Sequence, residues 1–156
     1  MTITNLEFMQ GFIRMASDGF ALGWHERNGG NLSYRIKTEE VEQAKKHFDL
    51  SRSFQKIGIS APNLGGEFFL VTGSGKFMRN VTLSPADNLC IIELDPSGEN
   101  YRIVWGLEKG GVPTSELPTH IMNHSIKKTI TNGEHRVIYH AHTSNLIALT
   151  FILPLE

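Results

Sequence analysis

The stretch Leu89-Cys90-Ile91-Ile92-Glu93-Leu94-Asp95-Pro96-Ser97-Gly98-Glu99-Asn100-Tyr101-Arg102-Ile103-Val104-Trp105 decides the fold class. Two apolar runs flank a turn built from Asp, Pro, Ser, Gly and Asn. This reads as a hairpin of strands over 89–94 and 101–105. Hairpins join antiparallel strands. Helical and strand patterns interleave on both sides of it, so the sequence predicts an α/β chain whose sheet is not purely parallel.

Working toward the N-terminus, Leu6, Met9, Phe12, Ile13, Ala16 and Phe20 recur at helical spacing, which predicts an amphipathic helix over about 5–22, stopped by Gly23. The tight loop Arg27-Asn28-Gly29-Gly30-Asn31 leads into a strand over 32–36. Thr38 is expected to cap a helix over 39–48. Residues 51–66 read as loop, with Gly58, Pro62, Gly65 and Gly66. A strand over 68–71 runs into Thr72-Gly73-Ser74-Gly75. Toward the C-terminus, a helix is expected from Ser115, with Pro118 tolerated in its first turn and Asn132-Gly133 stopping it. A strand over 136–141 and a helix over 144–153 follow. The final run Asn145 to Glu156 is apolar with no polar tail, so residues 1–156 are expected to be one domain that is truncated and continues beyond Glu156.

The 156 residues suffice for one domain with a real core. A formal net charge of −1 gives no reason to expect nucleic acid or an anionic membrane surface. The apolar runs are too short to span a membrane, and the N-terminus lacks the basic start and apolar core of a signal peptide. Cys90 is the only cysteine, which excludes an intrachain disulfide; within Leu89-Cys90-Ile91-Ile92 it reads as a small buried hydrophobe. A soluble cytoplasmic protein is the expectation.

Chemistry is carried first by His140-Ala141-His142, at the end of the apolar run Arg136 to Tyr139. Residues i and i+2 of a strand share a face, so both imidazoles can reach one metal ion. A strand histidine pair can equally be a hydrogen-bonded core feature. Catalytic zinc takes three protein ligands and keeps an open position, and no third ligand in the chain is compelling. His120 and His124, spaced i, i+4, are a rival pair; they lack the acidic residue of HExxH, which favours a structural role. Glu116, at a helix start, is a candidate acid/base group beside a metal and otherwise a first-turn carboxylate stabilised by the helix dipole. Three loops are candidate anion cradles: Asn28-Gly29-Gly30-Asn31, Thr72-Gly73-Ser74-Gly75 and Thr114-Ser115. The string Gly73-Ser74-Gly75-Lys76 is not a nucleotide P-loop, because Leu70 and Phe77 stand where that pattern needs Gly and Ser or Thr.

Taken in order, Gly30-Asn31-Leu32-Ser33, Thr72 to Gly75, Thr114-Ser115-Glu116 with His120 beyond, and His140-Ala141-His142 resemble the class II aldolase/epimerase superfamily, and within it most nearly the rhamnulose-1-phosphate aldolase family. Gly23 to Asn31, Val71 to Asn80, Val104 to Leu107, Val112 to His120 and Thr143 to Thr150 carry the closer likeness. The resemblance implies a three-layer α/β/α fold around a mixed, mainly antiparallel sheet, incomplete at the C-terminus. It implies metal-dependent retro-aldol cleavage of L-rhamnulose 1-phosphate. One Zn²⁺ per subunit would sit on His140 and His142, with a third histidine beyond residue 156. Glu116 would be the acid/base group, and Asn28, Gly30, Asn31, Ser74, Gly75 and Ser115 would bind substrate phosphate. A homotetramer is also implied. Fuculose-1-phosphate aldolase, ribulose-5-phosphate 4-epimerase and a non-catalytic adducin-like scaffold are the alternatives; the epimerases typically carry Asp where Glu116 stands.

Overall fold

The structure, a computed structural model, describes residues 2–153. The elements are α1 (Glu7–Ala21), β1 (Asn31–Arg35), α2 (Thr38–Ala44), β2 (Gln55–Lys56), β3 (Phe68–Thr72), α3 (Pro85–Asn88), β4 (Leu89–Leu94), β5 (Asn100–Gly106), α4 (Leu117–Ile130), β6 (Val137–His140) and α5 (Ser144–Leu149). The strands form one six-stranded sheet in the order β2-β5-β4-β3-β1-β6. Every pairing among the described residues is antiparallel, beginning with the expected hairpin β4–β5.

Strand alternation divides the sheet into two cores. Along β4, Leu89 and Ile91 join one cluster while Cys90, Ile92 and Leu94 join the other; along β3, Leu70 opposes Phe69 and Val71 in the same way. The first face is covered by α1 through Met9, Phe12, Ile13 and Ala16. The second is covered by α4 through Leu117 and Ile121. The result is helix, sheet, helix, as the family resemblance implies. Cys90 is fully buried, and that burial pushes its thiol well above the ordinary range.

Three local expectations are corrected. Thr38 is the first helical residue of α2, not its cap; the cap is Lys37, whose backbone N–H donates to Glu40 Oε2 at 2.9 Å. The helix also stops at Ala44 and gives way to a 3-10 turn over Lys45–His47. The terminal helix was expected to run to Leu153, but α5 ends at Leu149 and no described element lies over its apolar side. Leu146 is 63% and Phe151 85% exposed. Residues 154–156 of that apolar run lie outside the described residues.

Candidate metal and acid–base site

Sheet register brings the scattered motifs to one place. The first residue of β1, Asn31, pairs with the last of β6, His140. The last residue of β3, Thr72, lies beside them, its hydroxyl accepting from Leu32 N–H at 3.1 Å. The loop after β3 is stapled to the segment before α4: Ser74 N–H donates to the Val112 carbonyl and Thr114 N–H to the Thr72 carbonyl, at 2.9 Å each. That staple delivers Glu116, the N-cap of α4, to His140.

The two imidazoles are adjacent, with ring centroids 5.0 Å apart. His142 lies beyond β6 rather than on it, held by its N–H to the Trp24 carbonyl at 2.8 Å. Each histidine has a carboxylate at Nδ1: Glu116 Oε2 lies 2.8 Å from that of His140, and Glu26 Oε1 lies 2.6 Å from that of His142. A carboxylate only accepts, so Nδ1 of each ring carries a proton, which leaves Nε2 as the nitrogen that can ligate a metal. Such carboxylate–imidazole pairs are the usual support of a metal-binding histidine. The donor chemistry therefore fits a divalent ion. Among the described residues no group of three or more His, Cys, Asp or Glu could hold one, so the pair needs a further ligand.

Partial burial pushes the Glu116 carboxyl up, but hydrogen bonds from Asn31 and His140 outweigh it and hold the group below its ordinary range. Glu116 is ionised at neutral pH and suited to accept a proton. The tight loop before β1 is fixed from below. His25, 2% exposed, donates Nδ1–H to the Gly29 carbonyl at 3.0 Å and accepts from the Tyr139 hydroxyl at 2.7 Å. Burial lowers the His25 pKa, consistent with a neutral ring.

Of the residues expected to cradle phosphate, Gly30 and Asn31 lie against His25, His140 and His120. Asn28, Ser74, Gly75 and Ser115 are exposed on the surrounding loops, and no side-chain hydrogen bond joins them to one another among the described residues. The sequence alone assigns no role to Glu26, His25, Ser33 or Tyr139. His25 and Glu26 stand in the quoted string Gly23 to Asn31, but only the register of β1 with β6 shows what they support. A cavity of about 690 Å³ lies at the far end of β1, around Arg35, Glu67 and Lys128.

Residues 10–156 match the class II Aldolase and Adducin N-terminal domain. The chain belongs to that family. It is 46% identical over 154 residues to a rhamnulose-1-phosphate aldolase of Mannheimia succiniciproducens, covering 99% of this chain and 57% of that protein. A rhamnulose-1-phosphate aldolase of Pectobacterium atrosepticum is 46% identical over 149 residues, 96% of this chain and 54% of that one. Among solved structures, a sugar-phosphate aldolase from Thermotoga maritima superposes with a TM-score of 0.71 at 29% identity, over 89% of this chain and 54% of that chain. The chain thus spans little more than half the length of the relatives it matches. The fold, helix–sheet–helix around an antiparallel sheet, is that of the aldolase family. No helix among the described residues is long and apolar enough to cross a membrane.

Proposed function

We propose that the protein carrying this chain cleaves L-rhamnulose 1-phosphate to dihydroxyacetone phosphate and L-lactaldehyde by a metal-dependent retro-aldol reaction. The observation that carries this reading is the convergence of Glu116, His140 and His142 at one end of the sheet, in a chain 46% identical to rhamnulose-1-phosphate aldolases. Residues 1–156 are read as one domain of a larger cytoplasmic protein, a homotetramer with one zinc per subunit. His140 and His142 would hold the metal through Nε2, with a third histidine from outside this chain. A bound divalent ion supplies stabilisation of the negative charge that develops on the substrate oxygens as the carbon–carbon bond breaks.

The chain's own groups do the rest. Glu116, its carboxyl held below the ordinary range and paired with His140, accepts the proton from the substrate hydroxyl as the bond breaks and returns it to the product carbon. Backbone N–H groups and hydroxyls of Asn28, Gly30, Asn31, Ser74, Gly75 and Ser115 are proposed to hold the phosphate, far enough from the reacting bond to orient it. Purified protein should release dihydroxyacetone phosphate from L-rhamnulose 1-phosphate in an NADH-coupled assay. A chelator should abolish release, and Glu116→Gln should lower kcat roughly 100-fold or more, as expected for loss of a general acid–base. Faster turnover of ribulose 5-phosphate, or indifference to both treatments, would overturn the reading.

A further inference from the structure

We propose that Ser33, His120 and His124 are positioning residues. They form a buried one-way hydrogen-bond chain that locks the Asn31 side-chain amide with its N–H donors toward the His140–Glu116 pair and its oxygen inward. Only the kinetic part of the test below rests on the aldolase reading.

Asn31, Ser33 and Arg35 occupy alternate positions of β1 and so share the face that meets α4. His120 and His124 are one turn apart on α4. Ser33 and His124 are fully buried and His120 is 2% exposed. Ser33 Oγ lies 2.6 Å from His120 Nδ1 and 2.8 Å from His124 Nε2. His120 Nε2 in turn bonds Asn31 Oδ1, and Asn31 Nδ2 lies on the side of His140. Burial lowers the pKa of His120 to about 4 and of His124 to about 3. Both rings are therefore neutral at pH 7, each with one N–H and one lone pair.

A chain of such groups has two possible polarities, and the site selects one. The Asn31 amide has its Oδ1 at His120 Nε2 and its Nδ2 outward, 3.4 Å from the His140 Nδ1 that Glu116 Oε2 also meets. Asn31 Oδ1 then faces inward and can only accept. His120 must donate from Nε2 and accept at Nδ1. Ser33 gives its hydroxyl proton to His120 and accepts from His124 Nε2–H. His124 Nδ1 is left as a bare lone pair, and that atom has no hydrogen-bond partner among the described residues. Arg35 Nε–H is the other unpartnered buried atom on this face. The selected polarity leaves an acceptor in the region of that donor. The reverse polarity would leave two donors there, beside a guanidinium that already disfavours positive charge on His124.

Without this chain the amide is free to rotate and set its oxygen against the carboxylate. Two-bond and three-bond ¹H–¹⁵N correlations on the metal-free protein, ¹⁵N-labelled at histidine, read the tautomers directly. Both His120 and His124 should carry the proton on Nε2; an Nδ1–H tautomer in either overturns the proposal. In the metal-loaded protein, His120→Leu should lower kcat at least tenfold with KM within threefold. His120→Gln, which restores an N–H near Asn31, should recover kcat to within threefold of wild type. Equal losses in both variants that follow their melting temperatures would reduce the chain to a structural role and overturn the proposal. If the wild-type protein turns over no ketose phosphate, the aldolase reading fails while the tautomers still decide the chain.

Discussion

At the scale of single residues, the site is set by what fits between β1 and β6. Gly30 has φ of +77°, and a Cβ there would lie 2.5 Å from His25 Nδ1 and 2.6 Å from the His140 carbonyl. Both the left-handed backbone and the space exclude a side chain. Gly30→Ala should therefore cost at least about 1–2 kcal/mol from the backbone alone, and displace His140 as well. Urea denaturation with a parallel zinc titration checks both parts; unchanged stability and affinity would refute the account. Glu26 is the simplest test of the carboxylate–imidazole pairs. It is exposed and its pKa is lowered chiefly by the His142 hydrogen bond. Glu26→Gln should weaken metal binding roughly 10- to 100-fold, as losing such a partner does elsewhere, with little change in melting temperature. Chelator competition measures it, and an unaltered affinity would mean that Glu26 does not support the ring.

Elements carry the longer-range order. Arg35, at the far end of β1, has a side chain only 3% exposed and donates to Glu67 Oε2 at 2.9 Å and to the Gly133 carbonyl at 2.7 Å. Lys128 joins the same Glu67. This cluster fastens β1, the entry to β3 and the C-terminal end of α4 to one another. Glu67→Ala should leave the buried guanidinium uncompensated and destabilise by about 3–5 kcal/mol, read as a shift of the denaturation midpoint; a shift below about 1 kcal/mol, typical of a surface pair, would show that the cluster is not holding α4. None of this cluster was visible in the sequence, because a buried arginine reads like an exposed one until the strand pairing is known. The longer elements were legible, since period-2 and 3.6-residue patterns depend only on neighbours along the chain, whereas β2 and α3 are too short to show a period. The strings that carry Glu116, His140 and His142 are distinctive along the chain, and the structure brings those three side chains together. The Thr38 cap was misread because Glu40 satisfies the N–H of Lys37 one position earlier. The partners of the histidines were not legible at all. Glu26 lies 116 residues from His142 and Ser33 lies 87 from His120; the antiparallel register of β1 with β6 closes the first distance and the packing of α4 on β1 the second.

For the whole molecule, the buried polar chain between β1 and α4 couples site geometry to stability. Neutral imidazoles buried in the fold are a liability in acid. Unfolded, His120 and His124 take up protons near pH 6.5; folded, they resist until about pH 4 and about pH 3. Between those values the unfolded chain binds more protons, so stability falls as pH drops below about 6.5 and the loss levels off below the folded values. At pH 5 each ring should contribute a loss of about 2 kcal/mol relative to pH 7. His25, its pKa also lowered by burial, acts in the same direction. Carboxylates held low by hydrogen bonds, such as Asp95 at about 2, lose their contribution only at lower pH and leave this window to the histidines. Denaturant midpoints measured from pH 7 to pH 5 should therefore fall steeply. His124→Leu removes one of the two rings and should flatten the slope even if it lowers stability at pH 7. A slope unchanged in His124→Leu would mean that the ring is protonated in the folded protein, and with it the fixed polarity from His124 to Asn31 would be lost.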